Sequence, residues 1–404
     1  MLQAIGRWTG VPADAQGPAL LVGLGHGVTH WIAAFFYLLL PFLARDLGLS
    51  YVDTGMLVAV FHLSALTANF VSGLAVDVSG RRIVFQVISL AIGALALFAY
   101  LWSGSYLSIA SLVVLIGVSN SLWHPPAIAY LSSVYPRNRG YALAVHALCA
   151  NLGDTIAPLA AGAFLMTFSW QDTAALAAVP ALVVTVVLAW VLLPRDRMKR
   201  GGSVARLSFS QYLASIKRLL RNRAILGLSL MAGFRSIGQN GLYVFLPLYL
   251  VHELDLGPLW MGVVMMAMQL GGLIAAPVAG AWSDRSGRRP VVLAGLTVST
   301  IVIVLITLVP NELLLVGAVA LLGFALFAVR PVIQSWLMDL APPEVSGSAT
   351  SMLFGAQALL SAIVPFLGGL MADHYGLVSV FYMLAFTMLV ANLLVCMLPS
   401  AGSR

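Results

Sequence analysis

Twelve stretches of this chain stay apolar for about twenty residues or more, and nothing else in the sequence constrains the fold as tightly. They lie near 18–43, 52–76, 83–102, 106–133, 140–167, 173–193, 224–250, 258–282, 290–309, 312–338, 347–371 and 377–398, separated by polar breaks. At 1.5 Å per residue, a helix of that length crosses the ~30 Å hydrocarbon core of a bilayer. Backbone polar groups in lipid must be satisfied internally, which leaves helices or closed barrels. The runs are too long for barrel strands and lack their alternation. Composition agrees, with 61% hydrophobic and 9% charged residues where a soluble domain carries about 25% charged. The expected fold is an all-α integral membrane protein with twelve transmembrane helices. Residues 1–17 are polar and mixed, so the first span reads as a retained helix and not a cleaved leader.

The net charge of +7 would suggest nucleic acid in a soluble chain, but here the basic residues sit in a few loops, and no nucleic-acid partner is expected. The longest polar stretch, 194–223, holds Arg195, Arg197, Lys199, Arg200, Arg206, Lys217, Arg218, Arg221 and Arg223. Within it Phe209, Tyr212, Leu213, Ile216 and Leu220 share one helical face, the pattern of an interfacial amphipathic helix. This basic linker joins an N-terminal half, 1–193, to a C-terminal half, 224–404. Cytoplasmic loops retain Lys and Arg. With the N-terminus inside, 18 of the 21 basic residues fall on the cytoplasmic side: those nine with Arg7, Arg81, Arg82, Arg137, Arg139, Arg285, Arg288, Arg289 and Arg404. Arg45 alone lies outside, and Arg235 and Arg330 lie within spans. The chain is expected in a cell inner membrane with both termini cytoplasmic. Cys149 and Cys396 sit in apolar segments and are expected to be buried thiols, not a disulfide framework.

The two halves repeat. GLAVDVSGRR, Gly73 to Arg82, recurs as GAWSDRSGRR, Gly280 to Arg289, at an offset of 207 (73 + 207 = 280). The same offset carries Gly140, Pro158 and Gly162 onto Gly347, Pro365 and Gly369. An offset of 206 carries Gly117, His124 and Pro125 onto Gly323, Arg330 and Pro331. Six spans in each half, both halves starting inside, make these parallel repeats.

The doubled loop, Gly73, Asp77, Gly80, Arg81, Arg82 and again Gly280, Asp284, Gly287, Arg288, Arg289, resembles the signature of the major facilitator superfamily between its second and third helices. The resemblance implies the major facilitator fold, alternating access and no enzymatic activity. It also implies that the loop aspartates dock against a neighbouring helix end in one conformation while the arginines hold the cytoplasmic gate. On physical grounds, an Asp at a helix end beside an Arg pair forms a breakable ion pair that biases a two-state equilibrium. WHPPAIAYLSS and GYALAVHALCANLGDTIAPLAAG in the fourth and fifth spans resemble the fosmidomycin-resistance-like subgroup. That subgroup tends to have His-Pro-Glu where this chain has His124-Pro125-Pro126.

Ionisable side chains at membrane depth cost at least ~2.5 kcal/mol each on insertion scales. The spans nevertheless contain His26 and His30, His62, His124, His146, Asp154, Arg235 and Arg330. By the resemblance, the first, fourth, seventh and tenth spans line the central cavity, and these carry His26, His30, His124, Arg235 and Arg330. Arg235 lies about 16 Å along its helix from Ala224, near mid-membrane. A guanidinium stays charged and presents a fork of donors suited to carboxylate or phosphonate. Asp154 is the one carboxylate at similar depth, so an anionic solute is expected to complete the site. Asp154 is the natural proton carrier, with His124 and His146 as rivals. His62 and Asn69 read as interhelical hydrogen-bonding groups.

His26 and His30, spaced i, i+4, also match a two-histidine metal site, whose third ligand would come from His62, His124 or Asp154. Two ligands do not make a site, so the pair reads as cavity-lining donors, with no metal and no cofactor expected. The favoured expectation is a monomeric, proton-coupled exporter of a small organic anion or drug-like compound, working between lipid and protons. The alternatives are a proton-coupled importer of an organic acid, a metal or metal-chelate carrier, and an intramembrane metalloenzyme, which would need further ligand clusters.

Overall fold

The protein is described here by a computed structural model covering residues 11–196, 222–309, 311–341 and 346–398. Among the described residues every regular element is a helix. The long ones are α1 (Gly17–Leu47), α2 (Tyr51–Ser79), α3 (Arg82–Ala99), α4 (Tyr106–Leu122), α5 (His124–Val134), α6 (Arg139–Leu165) and α7 (Trp170–Asp196) in the first half. The second half has α8 (Arg223–Leu248), α9 (Pro258–Ser286), α10 (Arg288–Leu305), α11 (Glu312–Leu340), α12 (Ser346–Tyr375) and α13 (Leu377–Met397).

Counting α4 and α5 as one span, eleven of these are long and apolar enough to cross a membrane. The twelfth, α8, has the length at 26 residues but carries Arg235, Gln239 and Asn240 inside it. A helix that polar is tolerated at membrane depth where protein, not lipid, surrounds it; Arg235 and Ser236 are both buried. Large apolar side chains such as Trp190, Leu107, Leu359 and Phe386 are exposed, which costs nothing against lipid tails. The two cysteines are not both buried as expected. Cys149 is half-buried, but Cys396 is exposed, because an apolar segment that faces lipid need not be a buried one.

The chain forms two compact units. The first comprises Met1–Gly48, Leu57–Gly202 and Gly257–Gly262, the second Leu49–Met56, Ser203–Leu256 and Val263–Arg404. Inside the first, α1 packs most extensively on α6 and α3 on α7; inside the second, α8 packs most extensively on α12 and α10 on α11 and α13. The α1–α6 contact is close because both helices present glycine: a Cβ on Gly153 would collide with the Gly27 carbonyl, and one on Gly27 would come within 2.7 Å of the Cys149 carbonyl. In the second unit, the backbone N–H groups of Tyr51 and Val52 donate to the Asp373 carboxylate at 2.9 Å each, capping orphan donors at the start of α2.

The doubled loop has a backbone reason for its glycine. Gly80 and Gly287 adopt φ of 68° and 87°, the left-handed region that a side chain penalises, and each sits at the turn between two long helices. The linker expected over 194–223, with its Phe209 to Leu220 face, falls almost wholly outside the described residues.

One span departs from the uniform helix expected over 106–133. It ends at Leu122 and restarts at His124, with Trp123 between. Pro125 and Pro126 have no N–H to give to carbonyls four residues back, and two in succession break the ladder. The restart places His124 on the first turn of α5.

Candidate functional site

In the first unit α1, α5 and α6 bring the predicted titratable residues together. His26 is buried, and its Nδ1 lies 2.8 Å from the His146 carbonyl oxygen. Since a carbonyl only accepts, Nδ1 carries the hydrogen and Nε2 presents a lone pair. That Nε2 is 3.3 Å from Nε2 of His124. The His26 and His146 rings stack, with centroids 3.6 Å apart. One turn along α1, His30 Nδ1 meets Asp154 Oδ2 at 2.9 Å, the two side chains 29% and 25% exposed. His146 is engaged at its other end too, because the indole N–H of fully buried Trp123 donates to its Nε2 at 3.2 Å. The Trp123 bond ties up that nitrogen, whereas the His30 and Asp154 side chains stay partly exposed. His62 stands apart from the cluster, 3.3 Å from the Tyr37 hydroxyl.

The second unit holds a different kind of charge. Arg235 on α8 is 2% exposed and donates from Nη2 to the Leu326 carbonyl of α11 at 2.7 Å. Its Nε is buried with no hydrogen-bond partner. Among the described residues no ion pair involves Arg235, and Arg330, exposed on α11, is close enough for the two charges to repel. Leaving a buried charged donor unsatisfied costs more than about 1–3 kcal/mol, the penalty for a neutral group, so the arrangement favours an incoming acceptor. Neutral polar groups are ordered close by in sequence. Asn240 Nδ2 donates to Ser361 Oγ at 2.8 Å and Ser236 Oγ to Gln357 Oε1 at 3.0 Å.

At the turn from α9 into α10, Arg288 joins three groups: Asp284, the Ser283 hydroxyl at 2.8 Å and Asp339 of α11 at 3.1 Å. Arg289 donates to the Cys396 carbonyl of α13. In the first copy of the loop, the backbone N–H of Arg81 donates to Ser79 Oγ and the Arg82 carbonyl accepts from Gln86; the Asp77 side chain lies outside the described residues.

The model of the Major Facilitator Superfamily matches residues 22–274 and again 228–402. The chain belongs to the major facilitator superfamily. It is therefore a multi-pass membrane transporter and not an enzyme. It is 24% identical to the multidrug efflux pump Tap of Mycolicibacterium fortuitum, over 95% of this chain and 96% of Tap. It is 23% identical to the fosmidomycin resistance protein of Escherichia coli, over 92% and 90% of the two chains. A solved peptide transporter, POT, shares the fold with a TM-score of 0.78 at 15% identity, over 95% of this chain and 94% of that one.

Sequence reasoning missed Trp123, Asp339, Gln357 and Ser361. Asn240 had a signal, an amide in the middle of an apolar span; Trp123 and Asp339 had none until their neighbours were in place.

Proposed function

We propose that this transporter exports a small organic anion in exchange for protons, in a cell inner membrane with both termini cytoplasmic, as a monomer. The carrying observation is Arg235, a permanent charge 2% exposed with no acidic partner among the described residues and an unpartnered Nε. A carboxylate, phosphate or phosphonate supplies the acceptors such a fork lacks. Export is favoured by similarity to a multidrug efflux pump and a resistance protein. The coupling role goes to the contact between His30 and Asp154, two ionisable side chains at 2.9 Å that remain a quarter or more exposed. Retention of basic residues in the cytoplasmic loops supports the orientation.

The test is a transport screen with purified protein in liposomes, comparing organic anions with cations and neutral solutes of similar size under an imposed pH gradient. Anions alone should accumulate against their gradient, and only in vesicles whose pH gradient is of the matching sign. Equal or faster movement of cations would overturn the reading.

A further inference from the structure

We propose that His26, His30 and His124 form a binding site for one divalent d-block cation of the zinc type, each ring giving one nitrogen. The inference goes beyond the anion reading and uses none of its residues in the second unit. One ring nitrogen from each of the three lies within 4.8 Å of the other two. A tetrahedral zinc bound at 2.0–2.1 Å separates its ligand nitrogens by about 3.3–3.4 Å, and the Nε2 atoms of His26 and His124 stand 3.3 Å apart. A third nitrogen standing at the widest separation from both would move in by about 1.6 Å, and His30, 29% exposed, has room to turn.

What distinguishes this cluster from a chance gathering of imidazoles is what holds the other nitrogens. Metal-ligating histidines donate their second N–H to a carboxylate or backbone carbonyl, which fixes the tautomer and raises ligand basicity. Here His26 gives Nδ1–H to the His146 carbonyl and His30 places Nδ1 against the Asp154 carboxylate. Both leave Nε2 as the ligand atom. His146 is excluded from the set because its Nε2 already accepts from Trp123. Three imidazoles select zinc, nickel or copper over the oxygen-preferring magnesium and calcium. A site with three protein ligands keeps a fourth position open for water or an anionic group.

The experiment equilibrates purified full-length protein, its affinity tag removed, with Zn2+ alone and with Zn2+ plus excess Mg2+, and measures bound metal per chain. One zinc per chain is expected, undiminished by Mg2+. His26→Ala, His30→Ala and His124→Ala should each lower affinity at least ten-fold, Asp154→Asn by roughly ten- to a hundred-fold as a positioning residue, and His62→Ala not at all. Zinc bound equally by a folded His26→Ala/His124→Ala double variant, or no zinc bound by the parent, would overturn the proposal. Should the variants fail to fold, Co2+ in the unaltered protein decides: the visible absorption of a four-coordinate site supports it, and a six-coordinate aqua spectrum overturns it. Because the readout is metal content and not flux, failure here leaves the anion reading standing.

Discussion

Two places 206 residues apart, His124-Pro125 and Arg330-Pro331, began as copies and now differ in both backbone and chemistry. In the second half Pro331 is absorbed inside a 29-residue helix. In the first half a second proline follows, the helix ends, and α5 restarts at His124. A lone proline forfeits one hydrogen bond of the ladder, whereas a pair forfeits two in succession. The side chains differ accordingly: an imidazole set among three others and a carboxylate, against an exposed guanidinium. Duplication supplied the scaffold, and at this pair of positions divergence left an imidazole in one half and a guanidinium in the other.

If that division of labour holds, Asp154→Asn should have the largest effect. Accumulation of solute driven by a pH gradient should be abolished while solute exchange at equal pH continues, because exchange needs no net protonation cycle. Retained gradient-driven accumulation would move the proton role to His124 or His146. Next, Arg235→Ala should weaken anion binding by roughly ten- to a hundred-fold, the loss of a charge-assisted hydrogen bond of about 1.5–3 kcal/mol. Arg330→Ala should show the same direction, and Arg235→Lys should recover only part because it keeps charge but not the fork. Affinities within two-fold of the parent for both alanine variants, measured on folded protein, would remove the second half from solute binding.

Smaller shifts are expected at the loops. Asp284→Asn takes one partner from Arg288 and Asp339→Asn another, and Asp77→Asn alters the first copy. If the loops gate the transporter, each should change the populations of spin-label distances between the two halves by a few-fold. Unchanged distance distributions in all three would leave these loops as topological anchors only. The smallest effect compares packing. Gly153→Ala drives a methyl into the Gly27 carbonyl, while Gly233→Ala meets chiefly the Leu360 side chain, with the Ala356 carbonyl at 3.2 Å. Rigid backbone yields less than a leucine tip, so Gly153→Ala should cost about 1–3 kcal/mol and Gly233→Ala less. Equal thermal shifts would mean that the two helix pairs are equally compliant.

Much of the architecture was legible because it is written in composition and repeat. The apolar runs mark the helices, and the doubled loop around Gly80 and Gly287 marks the copy. Residue types at membrane depth singled out His26, His30, Asp154 and Arg235 for the same reason, since each is costly there. Their company was not legible. That His124 would approach His26 depends on a helix break and on how α1 lies against α6. Trp123 bonds His146 across 23 positions, and Asp339 reaches Arg288 across 51. Such pairings are fixed by tertiary packing, which no local spacing encodes. Chain polarity also misled at Cys396, where lipid takes the place of a core.

The break at Trp123 has a further consequence for water. Prolines at 125 and 126 leave the carbonyls of Ser121 and Leu122 without the amide donors a continuous helix would provide. Hydrocarbon cannot supply substitutes, so non-helical backbone persists at this depth only beside protein donors or a hydrated crevice. Those carbonyls lie within three residues of His124. A span broken there needs one or the other beside the imidazoles, and solvent at their level is what any ion entering from bulk, proton or metal, requires.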